Sequence, residues 1–438
     1  MHIFFSGIGG TAIGPLAIIA KQAGFHVSGS DKQDSQYIQY LRKLGITDIQ
    51  IGQTHAHIAE VNTKEPIDWY VYSSAVAMEN PDSPEFVFCR EHDITMTKRD
   101  ELLTYILREK NLKLLAIAGT QGKTTTTAMA IWLFTQLELP ISYSVGAKIS
   151  FGDMGRYDQK ATYFIYEADE FDRNFLAFEP YVSVITGVSW DHHEIFPTRE
   201  EYKQAFREFI SQSRETILWQ EDNEYLGLQR AANLRIEDSA NPHIATIQLA
   251  GQYNRLDAWL VLQAVHKLTA EPVEKLIEIM NRFPGSQRRM EEIAANLYTD
   301  YAHTPEKIRG AMSVALELAA QKNQPLVVVY EPLTNRRQSH MLHDYKDCFS
   351  GAAHVYWTPS YLAREDPLAP IISPQELIGY LDDPSIAEPA ILDKSLATAI
   401  KKHLDRGDMV VAMAGGGGGS LDEWLRANFH NASNGITS

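Results

Sequence analysis

The sequence predicts a layered α/β protein built in three blocks, and three observations carry that reading. Short apolar strands alternate with helical periodicity along the whole chain. The apolar run 112–118 enters Gly119-Thr120-Gln121-Gly122-Lys123-Thr124, a glycine turn that opens a helix-like stretch. A second glycine turn, Gly7-Ile8-Gly9-Gly10, follows the opening strand. At 438 residues the chain can hold roughly two to four domains.

The first block starts with a strand over His2–Ser6, the glycine turn and a helix from about Thr11 to Ala23. A strand over Val27–Ser30 ends on Asp31, a strand over Trp69–Ser73 comes later, and a helix lies around Pro84–His92. The second block begins near Asn111. It holds strands at Tyr163–Tyr166 and Val182–Thr186 and helices near 200–212 and 255–268. The third follows Phe283-Pro284-Gly285, with strands at Leu326–Tyr330, Ala353–Trp357 and Met409–Met413. There is no tandem repeat, and the polar tail after Phe429 reads as frayed.

Composition narrows the function. Hydrophobic residues make up 44% and charged residues 22%, the balance of a globular chain. Forty Lys and Arg against 56 Asp and Glu give −16, which argues against nucleic-acid binding. Local N–H groups and a few arginines can still hold an anionic substrate. Cys89 and Cys348 indicate neither a disulfide framework nor a zinc site. No apolar run reaches spanning length and the start lacks a basic leader, so the expectation is a cytoplasmic protein with no membrane partner.

The chemistry sits at strand ends. The turn Gly119–Thr124 has the form of a phosphate loop, two residues shorter than the usual spacing. Its backbone N–H groups and helix N-terminus would face phosphates, Lys123 would bridge the outer ones, and Thr124 could hold Mg²⁺. Glu167-Ala168-Asp169-Glu170-Phe171-Asp172 follows a strand of the same block and reads as a metal site, with Glu167 nearest the strand. Asp191-His192-His193-Glu194 follows the next strand, where His192 could ligate metal. Gly7, Gly9, Gly10 and Asp31 have the spacing of a dinucleotide turn, which leaves a nicotinamide cofactor as a rival reading. In the third block Arg288 and Arg289 suit a phosphate, Asp300 a ribose, and Arg336 and Arg337 a small carboxylate. Gly415–Gly419 is a ligand loop or a flexible turn.

In this order the segments resemble the Mur ligases, ATP-dependent amino-acid ligases of peptidoglycan precursor synthesis, and most of all their alanine-adding branch. The resemblance covers nearly the whole chain. It rests on the Gly7–Gly10 turn, Ser73-Ser74-Ala75 with Asn80-Pro81, the short phosphate loop, Glu167–Glu170, Asp191-His192, Gly251-Gln252-Tyr253-Asn254 with Asp257, Arg288-Arg289 and Asp300–His303. It implies three domains. A Rossmann-like domain over 1–108 binds a UDP-sugar through Gly7, Gly9, Gly10, Asp31, Ser73 and Ser74. A P-loop ATPase-like domain with a parallel or mixed sheet, 109–283, binds MgATP. A Rossmann-like domain over 284–438 binds the amino acid through His303, Arg336 and Arg337.

For ATP the resemblance implies Gly119, Thr120, Gln121, Gly122, Lys123, Thr124, Thr125, Asn254, Asp257, Arg289 and Asp300. For metal it implies Thr124, Glu167 and His192, with Lys123 and His192 catalytic. The implied partners are UDP-N-acetylmuramic acid and L-alanine, and the implied assembly is a monomer or weak dimer. Phe206 stands where some relatives carry a carbamoylated lysine. The branch has histidine at Gln121 and a His-Arg pair at Leu333-Thr334, and its second adenine-side asparagine is Asp257 here. Glu331-Pro332 with Asn335 and Asp191–Phe196 resemble the tripeptide-recycling ligase instead. A Mur-like nucleotide-binding protein without ligase activity is the remaining alternative.

Overall fold

The structure, a computed structural model, describes residues 1–192, 195–229, 231–285, 288–362, 371–416 and 419–429. The side chains of Gln36, Ala75, Met78, Glu79, Arg336 and Arg337 are outside that description. His193, Glu194, Gln287, Gly417, Gly418 and the tail after Phe429 also lie outside the described residues.

The chain forms two compact units. One comprises Met1–Ile247 with Leu256–Pro284, the other Gln248–Arg255 with Gly285–Ser438. The first unit holds two sheets. Strands β1 (His2–Ser6), β2 (His26–Asp31), β3 (Ile49–Ile51), β4 (Trp69–Tyr72) and β5 (Thr95–Lys98) form a parallel sheet in the order β3-β2-β1-β4-β5. The second sheet contains β6 (Lys113–Ala118), β7 (Ile141–Ser144), β8 (Gly155–Arg156), β9 (Tyr163–Glu167), β10 (Val182–Ile185), β11 (Thr216–Trp219) and β12 (Leu234–Glu237). Its order is β12-β11-β10-β6-β9-β7-β8, parallel except for the edge pair β7/β8.

Strand β6 is apolar along its length because both faces of a parallel sheet are covered; Leu115, Ala116, Ile117 and Ala118 have no exposed surface. Its neighbours β9 and β10 end beside the phosphate loop, so three consecutive strand ends converge there. One apolar core runs through both sheets of this unit, from Ile3 and Phe5 to Phe206 and Phe209. Gly155 of β8 lies against Pro15; a Cβ there would come within 2.5 Å of the Pro15 carbonyl oxygen.

The second unit has β13 (Glu291–Ala294), β14 (Leu297–Asp300), β15 (Leu326–Glu331), β16 (His354–Trp357), β17 (Ala387–Pro389) and β18 (Met409–Ala414), in the order β13-β14-β18-β15-β16-β17. Only β13/β14 is antiparallel. Apolar layers cover the two faces, around Tyr330 and Trp357 on one side and Leu421 and Leu425 on the other.

The α/β class and its parallel sheets agree with the sequence reading. The edge strands β3, β5, β8, β12, β13 and β17 escaped it because they are short and half-polar, so period-two patterning has little length to register. The first helix is Ile13–Gln22, two residues later than expected at its start.

Candidate active site

Strand β6 runs directly into the phosphate loop. Gly119 has φ +142°, and a Cβ there would lie 2.2 Å from the Thr186 hydroxyl and 3.0 Å from the Gly187 carbonyl. Gly122 has φ +77° and caps the helix Lys123–Gln136; a Cβ there would lie 2.3 Å from Asp257 Oδ2. Both ends of the turn therefore require glycine. Between them Thr120 Oγ1 donates to the Ser189 carbonyl at 2.7 Å, accepts from the Ser189 N–H at 2.9 Å and lies 2.8 Å from the Tyr202 hydroxyl. The Thr186 hydroxyl bonds the Gln121 carbonyl. The loop is thus shaped by the segment after β10 and by the helix Arg199–Gln212, which leaves the first N–H groups of Lys123–Gln136 at the strand ends. Thr125 lies half-buried in the first turn of that helix.

The acidic run after β9 divides its work. Glu167 Oε1 accepts from the Thr124 hydroxyl at 2.7 Å and its Oε2 from the Gly146 N–H at 2.7 Å. Asp169 pairs with Arg99 at 3.1 Å, and Asp172 with Lys98. Glu170, with no exposed surface, lies 2.7 Å from Lys123 Nζ and 3.5 Å from His192 Nε2. Burial alone would push the Glu170 carboxyl up; Lys123 and His192 outweigh it and hold it below the usual range. Burial likewise opposes the charge of Lys123 and of His192, and the carboxylates around them raise both. His192 has φ +55° and sets its ring edge-on to Phe171 at 5.2 Å. A hydroxyl and a carboxylate in contact, Thr124 and Glu167, are hard oxygen donors that fit Mg²⁺.

Lys123, Thr124, Glu167 and His192 are therefore brought together as expected candidates. Glu170 was read only as part of the run, yet it is the group that joins Lys123 to His192. Its spacing, three residues beyond Glu167, was the available signal. Tyr202, Thr186 and Asp222 carried none, because they act on the loop across the fold. Asp222 Oδ1 accepts from the Val188 N–H at 2.8 Å, and burial pushes its carboxyl up to about 6. Asp257 is buried behind Gly122, and burial raises its carboxyl well above the ordinary value. Burial thus favours its neutral form, which, unlike the ionised one, can donate as an asparagine does.

In the first sheet Asp31 Oδ2 accepts from the Gly9 N–H at 2.8 Å, and Gly10 N–H donates to the Gly7 carbonyl at 2.9 Å. Ser73 caps the helix Ser74–Glu79, while the Ser74 hydroxyl lies 3.5 Å from Asn174 Oδ1.

The remaining candidates belong to the second unit. Asn254 donates to the Ala250 carbonyl at 2.8 Å. Asp300 ends β14, accepts from the Met290 N–H at 2.9 Å, and is pushed by burial to about 6 against the pull of Arg289 and Arg288. The guanidinium groups of Arg288 and Arg289 lie 4.6 and 5.1 Å from the centre of the Tyr301 ring. His303 is buried behind Gly415, its Nδ1 3.1 Å from the Tyr301 carbonyl. Arg336 and Arg337 lie in the helix Asn335–Met341, and their side chains are outside the described part.

A glycine turn between a buried strand and a lysine-headed helix, with carboxylates on the adjoining strand end, defines a phosphate-loop α/β protein. Residues 2–111 match the Mur ligase family catalytic domain, and residues 117–258 the Mur ligase middle domain. The chain belongs to the Mur ligase family. A protein of Desulfotalea psychrophila named UDP-N-acetylmuramate–L-alanine ligase is 29% identical over 460 residues, covering 95% of each chain. One of the same name from Kineococcus radiotolerans is 28% identical over 402 residues, 84% of this chain and 83% of that one. The crystal structure of the UDP-N-acetylmuramate–alanine ligase of Thermotoga maritima superposes with a TM-score of 0.75, at 22% identity over 98% of both chains. A murein peptide ligase of Psychrobacter arcticus gives 0.65 at 20% identity over the full length of both. These two likenesses establish the fold.

Proposed function

We propose that this protein is an ATP-dependent ligase that joins L-alanine to the lactyl carboxylate of UDP-N-acetylmuramic acid, a step of peptidoglycan precursor synthesis. The observation that carries the reading is the near full-length match to relatives bearing that name. The division into a UDP-sugar domain (1–108), an ATP domain (109–283) and an amino-acid domain (284–438) belongs to the same proposal. Among the described residues no helix is long and apolar enough to cross a membrane.

A carboxylate and an amine do not condense in water without activation. The reaction moves the γ-phosphoryl of ATP to the lactyl carboxylate, and the amine then displaces phosphate from the acyl phosphate. The chain's part is to position anions and neutralise their repulsion. The glycine turn presents N–H groups to the phosphates. Lys123, kept charged by Glu170, stands at their outer end. Glu170 also holds His192 in place, and Thr124 with Glu167 would hold Mg²⁺, which supplies charge neutralisation at the phosphates. The Asp257 carboxyl packs under Gly122, where a Cβ would lie 2.3 Å from its Oδ2.

Phosphate release from ATP with UDP-N-acetylmuramic acid, measured over a panel of amines, tests the reading. Stimulation by L-alanine supports it. Stimulation by L-Ala-γ-D-Glu-meso-diaminopimelate alone would favour the second reading, tripeptide ligation, to which Glu331-Pro332 and Asn335 point. Binding of ATP and the UDP-sugar with no amine effect would leave a nucleotide-binding protein without ligase activity.

A further inference from the structure

Glu331 ends β15 at the carboxyl edge of a parallel sheet, the edge at which α/β folds bind ligands. It is only 4% exposed. Its Oε1 accepts from the Leu421 N–H at 3.1 Å, at the start of the helix Leu421–Phe429, whereas its Oε2 is buried with no donor among the described residues. A buried carboxylate oxygen left unpaired is costly and rare, so it asks for a donor. The loops around it have the same feature. The segment after β15 is bonded to the one after β16: Tyr361 N–H donates to the Pro332 carbonyl at 2.7 Å, and Thr334 N–H to the Tyr361 carbonyl at 3.1 Å. Gly416, after β18, packs on the Tyr361 ring and on Ser420. The hydroxyls of Ser360 and Ser420 on these loops are likewise buried without a hydrogen-bond partner among the described residues.

We propose that Glu331 is a substrate-binding residue that receives the ammonium group of the incoming amine. The inference rests on the ligase reading. An ammonium carries three N–H donors and no acceptor, which matches an edge rich in unpaired oxygens. Burial pushes the Glu331 carboxyl up to about 7, so its ionisation spans the neutral range. The charged groups that face it are Arg288 and Asp422. They lie 3.5 Å apart; Arg288 Nη2 also donates to the carbonyls of Ala414 and Gly416 at 3.2 Å, while its Nε is buried without a hydrogen-bond partner among the described residues. An ammonium beside Glu331 stabilises its ionised form, and amine binding strengthens as pH rises through about 7.

The test compares the full-length wild type with Glu331→Gln and Glu331→Ala, each checked for folding by thermal melt. Kinetics use L-alanine and the tripeptide L-Ala-γ-D-Glu-meso-diaminopimelate. Calorimetry titrates the same amines with UDP-N-acetylmuramic acid and a non-hydrolysable ATP analogue present. The expected result is an amine KM raised about ten- to hundredfold in Glu331→Gln, an unchanged KM for ATP, and an amine affinity that no longer rises through neutral pH. Folded variants with wild-type amine KM and affinity overturn the inference. So does a wild-type chain that binds neither amine. Amine binding without phosphate release overturns the ligase reading alone.

Discussion

Lys123 Nζ lies 2.7 Å from a carboxylate oxygen of Glu170, a residue with no exposed surface. The phosphate-loop lysine is therefore half of a buried ion pair, with His192 on the carboxylate's other oxygen. Neither charge is well solvated, so each depends on the other for its ionised state.

Lys123→Ala is expected to abolish phosphate release and to destabilise the protein by about 3–5 kcal/mol, because Glu170 is left buried and unpaired. Adding Glu170→Gln should recover much of the stability and none of the activity. Thermal melts beside a phosphate assay check both; a single variant as stable as wild type would contradict the pairing.

Gly122→Ala places a Cβ against Asp257 Oδ2 at a left-handed position. The strain costs about 1–3 kcal/mol, and nucleotide affinity should fall with it, as read by calorimetry. Asp257→Asn, in contrast, keeps the shape and removes the ionisation, and should cost less than about 1.5 kcal/mol with nucleotide affinity intact.

Asp222 gives a pH test. Its carboxyl is raised on folding from 3.8 to about 6 by burial. The native state then holds its proton more tightly than the unfolded chain, so native stability falls as pH rises from about 4 through about 6. Asp222→Asn keeps an oxygen for the Val188 N–H and removes the ionisation. Its melting temperature should exceed wild type above about pH 7, by the equivalent of about 1–3 kcal/mol, and match it near pH 4.

Thr124→Val removes one of the two contacting oxygen donors. The Mg²⁺ concentration giving half-maximal phosphate release should rise about tenfold or more, while the melting temperature without metal changes little. An unchanged requirement would place the metal elsewhere.

Much of this was legible in the chain itself. The length of β6, its apolar run and the two glycines specify the phosphate loop, because left-handed backbone and close approach leave no other residue type. Strand ends carrying Glu167 and Asp191-His192 follow from the alternation of strands and helices. Asp300 was likewise visible as a polar residue at a strand end, and Arg288-Arg289 and Glu331-Pro332 as short motifs.

The tertiary structure alone decided the partners. Glu170 rather than Glu167 takes Lys123, since residues three apart after β9 point to different neighbours. Asp31 meets Gly9 across 22 positions. Burial raises the Asp257 carboxyl, and no local pattern encodes that, because desolvation is set by everything packed around a group. The sequence determines which residues reach the strand ends; the packing of sheet against helix determines which of them touch, and in what charge state.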